Sequence, residues 1–258
     1  MRPTAQEAFW RAWVLREVVV HAMATPPQSV LRESAAHWSQ EQRDKLDRTS
    51  KARTEERLAQ IRKIGIWEHA SPKEKEFLLS YGLQMDEYEQ LAAAWRMECV
   101  AMLMWALGLV AEWPSVEMQT EDPDLLKTLP HPANYKPALR EFEEISRKRD
   151  LIELWHWRVR TRRLVEEGRP LNPDAEMLKS GPRTYDDIVR DVAKKAREQG
   201  DLPEIIDEDF VFRGEPFRDI SAGDYSEATS IIMERHYALN WLCGFAPDNK
   251  WDETTTDT

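Results

Sequence analysis

Glycine is scarce in this chain, at 9 of 258 residues. Architectures of many short strands and tight turns rely on glycine for positive φ, so that class of fold is disfavoured from the start. Cysteine is rarer still. Cys99 and Cys243 both sit inside apolar helical patterns, where they read as small buried hydrophobes with no disulfide framework. The longest apolar run, residues 99–111, is too short to span a bilayer. The chain opens Met1-Arg2-Pro3-Thr4 and continues into a polar amphipathic stretch, with no apolar signal region and no small-residue cleavage site. These absences set the expectation of a cytoplasmic protein with no membrane partner. Basic residues are also in deficit, 36 Lys and Arg against 47 Asp and Glu, for a net charge of −11. Contacts to phosphate need a cationic surplus, so nucleic acid and anionic lipid are disfavoured as partners. HExxH, CxxC, a glycine-rich phosphate loop and a G-x-S-x-G elbow are all missing.

What is present is helical. The sequence is 41% hydrophobic and 32% charged, the balance of a folded globular chain, and its 11 tryptophans bring large buried areas to helix contacts. Thr4 and Glu7 form a capping-box pattern for a first helix over about 4–23, stopped by Pro26-Pro27, with an apolar stripe of Phe9, Trp10, Trp13, Val14, Val18 and His21. A weakly periodic helix is expected over 29–48. Another begins after Thr49-Ser50 and stops at Gly65, and Ser71-Pro72 starts a short one. Asp86 caps a helix over about 87–111, and a proline-dotted connection covers 114–136. A charged helix runs from just after Pro137 to about 167, Thr184 caps another ending at Gly200, and the last spans about 224–243. Residues 209–217, Asp209-Phe210-Val211-Phe212-Arg213-Gly214-Glu215-Pro216-Phe217, alternate around a glycine as the one plausible β element. The expected fold is therefore all-α: a single multi-helix domain with at most one small β-hairpin or extended arm. Residues 1–45 are read as a peripheral N-terminal helical extension and 46–258 as the helical domain.

Charged residues on apolar seams are the candidates for chemistry. Leu91, Trp95, Glu98, Met102, Trp105 and Leu109 recur at alternating spacings of 4 and 3, which lines up a single seam with Glu98 in its middle. A carboxylate there is either paired with a cation or raised in pKa, so Glu98 is either a structural ion-pair partner or a general acid/base or metal ligand. On the charged helix, Phe142, Ile145, Arg149, Ile152, His156 and Val159 share a face, with Arg158 and Arg162 beside it. On the last helix Ala228, Ile231, Arg235, Ala238 and Leu242 align, flanked by Glu234 and His236. Arginine's planar fork suits a buried carboxylate, so a Glu98–Arg235 or Glu98–Arg149 pair is expected. Residues 147–163 hold seven Lys and Arg against Asp150 and Glu153 alone. That block reads either as an anion site or as a face paired internally, with the acidic tail from Trp251-Asp252-Glu253 to Asp257 as a candidate partner. Helices could bring His156, His236 and Glu98 together as metal ligands, but the Glu153-x-x-His156 match stands alone where carboxylate–histidine bundles use two, so no metal and no cofactor is assigned.

Three stretches stand out together: Trp95 and Glu98 followed by Met104-Trp105-Ala106-Leu107-Gly108; Arg149-Asp150-Leu151 with His156-Trp157-Arg158-Val159-Arg160; and Glu234-Arg235-His236-Tyr237-Ala238-Leu239-Asn240-Trp241-Leu242 with Trp251-Asp252 and Asp257-Thr258. In these the chain resembles a bacterial family described as a domain of unknown function, DUF4272. The resemblance is placed over roughly 45–258 and departs at Glu253-Thr254-Thr255-Thr256. It implies a helical bacterial protein of the cytoplasm and carries no activity with it. Its motifs coincide with the inward-facing polar residues, which define an expected polar centre of Glu98, Arg149, Asp150, His156, Glu234, Arg235, His236 and Asp252.

Two functions compete. In the first, the protein is an interaction or regulatory scaffold with an unknown protein partner, and the polar centre specifies helix packing. In the second, it is an enzyme or small-ligand binder in a cleft between the three central helices. Arg158, Arg162 and Arg235 would then hold an anionic substrate while Glu98 or His156 moves protons. Nucleic-acid binding through residues 147–163 is the weakest of the readings.

Overall fold

The computed structural model describes residues 1–171 and 183–256. The helices are α1 (Ala5–Met23), α2 (Gln28–Ala36), α3 (Gln40–Lys63), α4 (Pro72–Leu79), α5 (Glu87–Ala106), α6 (Phe142–Glu166), α7 (Tyr185–Gln199) and α8 (Ala222–Cys243). Their starts follow the local chemistry read from the sequence. Thr4, Ser71 and Thr184 each close a capping box with the residue three positions on, and Asp86 accepts the amide of Glu89.

Three boundaries differ from expectation. The predicted break at Thr49-Ser50 does not exist. The chain turns instead at 37–39, where Ser39 and Gln42 form the capping box of α3, which then runs unbroken through Thr49 and Ser50. Helix α5 stops at Ala106 rather than near 111. Gly108 adopts φ +69°, its amide bonds the Trp105 carbonyl, and the Leu109 amide reaches back to Met104 at 2.9 Å. This is a Schellman terminus, hidden in the sequence because the glycine lies inside an apolar run. Arg140 adds a cation there, with Nε donating to the Trp105 carbonyl at 2.7 Å. Helix α6 begins at Phe142, later than the sequence suggested.

Helix α5 lies between α1 and α8, and α6 packs on the far side of α8. Enclosure by two long helices explains why Cys99 to Leu107 are buried all round. The core takes side chains from both sides of residue 45, joining Phe9, Trp13, Val14 and Val18 of α1 to Met102, Trp105, Ile152 and Leu239. The expected β element is a small antiparallel sheet of β1 (Ile205–Ile206), β2 (Asp209–Phe212) and β3 (Glu215–Pro216), in the order β1-β2-β3. Pairing is Ile205 with Phe210 and Phe212 with Glu215. Asp207 and Glu208 at one turn, and Arg213 and Gly214 at the other, all have positive φ, as two-residue hairpin turns require. The first turn contains no glycine, so only the second hairpin was visible in the sequence. Phe210 and Phe217 meet Trp155 edge-on and fasten the sheet to α6. No helix among the described residues is long and apolar enough to cross a membrane.

Candidate functional site

The polar residues on α5, α6 and α8 are divided among several separate clusters rather than gathered in one centre. The deepest joins Glu98 and Arg235, both wholly buried. Arg235 Nε donates to Glu98 Oε2 at 2.8 Å. Its Nη1 donates to the carbonyls of Pro114 and Ser115 at 3.0 and 2.7 Å, and its Nη2 to that of Met118 at 2.9 Å. Thr120 completes the carboxylate, its amide 2.6 Å from Oε1 and its hydroxyl 3.0 Å from Oε2. The pair thus joins α5 to α8 and pins the proline-dotted segment after α5, whose carbonyls lack helical partners. Burial lowers the Arg235 pKa, and the Glu98 carboxylate opposes that shift. The pairing expected from the seams therefore involves Arg235, not Arg149.

Arg149 faces another way. It forks onto Glu153 at 2.7 and 2.8 Å, reaches Asp150 at 3.0 Å, and donates Nε to Asn240 Oδ1 at 2.8 Å. Asp150 itself is largely exposed. His156 and His236 meet between α6 and α8 with their Nδ1 atoms 2.8 Å apart, a contact that needs one ring to donate and the other to accept. Burial, then His156 and Arg149, push the His236 pKa down to about 3, against a smaller opposing effect of Asn240, so that ring stays neutral. Glu98 and the two histidines do not converge. Among the described residues no group of three His, Cys, Asp or Glu side chains is placed to hold a metal ion.

Arg158 forks onto Asp209, Nε to Oδ1 at 2.7 Å and Nη2 to Oδ2 at 2.6 Å, and the same carboxylate accepts the amides of Phe210 and Arg218. Sequence reasoning missed Asp209 as a partner; its signal was a carboxylate opening an otherwise apolar strand. Arg162 donates to the carbonyls of Phe217 and Ile220 and to Glu166. The three arginines expected to hold an anion are thus engaged by protein acceptors. Glu234 pairs with Arg96 at 3.0 Å and lies 3.0 Å from the Cys99 sulfur. Burial, reinforced by Glu234, raises the Cys99 thiol well above its usual range, which favours the protonated thiol as a donor to the Glu234 carbonyl.

The C-terminal segment closes on α8 through its backbone. Asn240 Nδ2 donates to the Thr255 carbonyl at 2.7 Å and Trp241 Nε1 to that of Asn249 at 2.9 Å. Asp252 is half-buried and has no hydrogen bond or ion pair among the described residues. Within the basic block of α6, Arg149, Arg158, Arg162 and Arg163 pair with Glu153, Asp209, Glu166 and Glu167. Asp257 and Thr258 lie outside the described residues.

The seam of α5 holds a second correction. Met102 and Trp105 are buried as expected, but Leu91, placed at its start, is 59% exposed and Leu109 falls beyond the helix. Tyr88, Leu91, Ala92 and Trp95, at helical spacing, instead line a groove of about 250 Å³ with Ser230, Met233 and Glu234 of α8. Tyr88 and Met233 are 79% and 43% exposed.

The fold and its clusters define a helical protein in which Glu98, His156, Arg158, Arg235 and His236 are turned inward and engaged by protein groups. The chain belongs to the family described as domain of unknown function (DUF4272), which it matches over residues 3–179. That span begins well before residue 45, where the sequence resemblance was placed, and ends before α8. Comparison with curated proteins and with solved structures gave no match.

Proposed function

We propose that this protein is an interaction module, and that its docking surface is the groove formed by Tyr88, Leu91, Ala92 and Trp95 of α5 with Met233 of α8. The observation that carries this reading is the uncovered apolar stripe on the helix that is otherwise the most enclosed in the molecule. Large apolar side chains exposed together in a groove are characteristic of binding surfaces. The occupant is an amphipathic helix of a partner protein, basic at its flanks. Asp86, Glu87, Glu89 and Glu234 outnumber Arg32 and Arg96 around the stripe, and a second copy of this chain would set acid against acid. The Glu98, His156 and Arg235 clusters act as the framework that holds α5 and α8 at the spacing the groove needs.

Titration calorimetry against a designed helical peptide of leucine and lysine tests this, with a leucine–glutamate peptide as control. The lysine peptide binds, the glutamate peptide does not, and Leu91→Asp abolishes binding. Equal binding of both peptides, or binding indifferent to Leu91→Asp, would overturn the reading.

A further inference from the structure

A different corner of the molecule leaves polar groups open where the centre leaves almost none. The end of α1, the start of α2, the middle of α3 and the turn at Tyr81-Gly82 surround a pocket of about 270 Å³. Its walls include Thr25, Ser50, Thr54, Arg53, Arg57 and His21. Gly82 lets the turn approach α3 closely. It adopts φ +52°, and a Cβ there would stand 3.1 Å from Asp47 Oδ1 and 3.4 Å from Ser50 Oγ. The buried Gln28 holds the turn in place by donating to the Gly82 carbonyl at 2.9 Å.

The unused hydrogen-bonding capacity in this pocket is what distinguishes it. Thr54 is 8% exposed, yet its hydroxyl has no partner among the described residues and is not sealed from the pocket. The hydroxyls of Thr25 and Ser50 are likewise without partners among those residues. Arg53 makes no ion pair or hydrogen bond there either. Arg57, one helical turn on, directs Nε and Nη2 to Glu17 and leaves Nη1 without an acceptor. His21 gives Nε2 to the Ser80 carbonyl at 2.9 Å, and burial lowers its pKa, so Nδ1 is left as an acceptor. Two guanidinium groups at i and i+4 beside three free hydroxyls match an anion attached to a hydroxylated body. From this arrangement we propose that the pocket binds the phosphate ester of a small polyol, with Arg53 and Arg57 Nη1 on the phosphate and Thr25, Ser50 and Thr54 on the hydroxyls. The site shares no residue with the α5–α8 groove and stands independently of the function assigned there.

Calorimetry on the full chain with ribose 5-phosphate, inorganic phosphate and ribose tests the assignment. The ester binds, free phosphate binds more weakly, and ribose gives no heat. Arg53 is exposed and unpaired, so Arg53→Ala folds normally and weakens ester and phosphate alike, about tenfold, as expected for one lost charge-assisted hydrogen bond. Thr54→Val keeps the side-chain shape and weakens only the ester. Failure of ribose 5-phosphate to bind, affinity unchanged in both variants, or free phosphate binding as tightly as the ester would each overturn the proposal.

Discussion

Arg235 on α8 and Arg53 on α3 are the same side chain in opposite situations. Arg235 is wholly buried, with its nitrogens directed at Glu98 and three backbone carbonyls. Arg53 stands at the wall of a pocket with no partner among the described residues. Arg158 and Arg162 resemble the first, and Arg57, half engaged by Glu17, lies between the extremes. The lesson is that a cation among apolar neighbours in sequence is the one most completely neutralised by the fold. Leaving it unpaired would cost several kcal/mol, so the fold supplies acceptors. A cation available to a ligand must instead lie where water can replace its partner.

The largest effect that could break this contrast is at Glu98. Replacing it with alanine leaves Arg235 charged and enclosed, and about 3–5 kcal/mol of folding stability should be lost in denaturant unfolding. Replacing both members together, Glu98→Leu with Arg235→Met, should recover most of that loss, because no orphaned charge remains. A small effect for the single change would mean that the Arg235 fork is satisfied without its carboxylate, and the centre would then resemble the α3 pocket.

Much of the centre was legible for a definite reason. Helical periodicity places residues on faces, so Glu98 and Arg235 could be set opposite each other, and a buried carboxylate facing a buried guanidinium leaves little choice of partner. The alternatives were resolved by backbone. Arg235 is fixed by the carbonyls of Pro114, Ser115 and Met118, in an irregular segment that no periodicity describes. Asp209 showed as a carboxylate opening an apolar strand, but its pairing with Arg158 did not, because strand–helix contacts depend on how a hairpin folds back. The docking stripe was misread for a related reason. Leu91 has the spacing of a core residue, and only the absence of a covering element makes it a surface. The α3 pocket left no trace in sequence, since α2 and α3 are joined at a turn that the weak periodicity there did not reveal.

The histidine pair gives an effect of intermediate size. His236 is held near pKa 3 in the fold, whereas an unfolded histidine titrates near 6.5. Between these values the unfolded chain binds the extra proton, so stability is complete above pH 6.5 and declines as pH falls toward 3, by up to about 1.4 kcal/mol per pH unit. His21, also lowered chiefly by burial, adds to the decline with the same sign. Unfolding followed from pH 7 to pH 5 should show this slope, and His236→Gln should reduce it. An unchanged slope would place the proton uptake elsewhere and remove the pair from the sealed centre.

The smallest expected effects are the most discriminating. Arg53→Ala and Leu91→Asp should each change folding stability by no more than about 0.5 kcal/mol, because neither side chain is buried or paired in the fold. For residues whose only role is to stay dissolved, that silence would extend to binding. Here each is expected to be silent in unfolding and decisive in one titration, Arg53 for the phosphate ester and Leu91 for the basic helix. A loss of stability at Arg53 above that size would show that its guanidinium serves the fold after all. The distinction between enclosed and available arginines would then rest on degree of burial alone, and the pocket would lose its claim to a ligand.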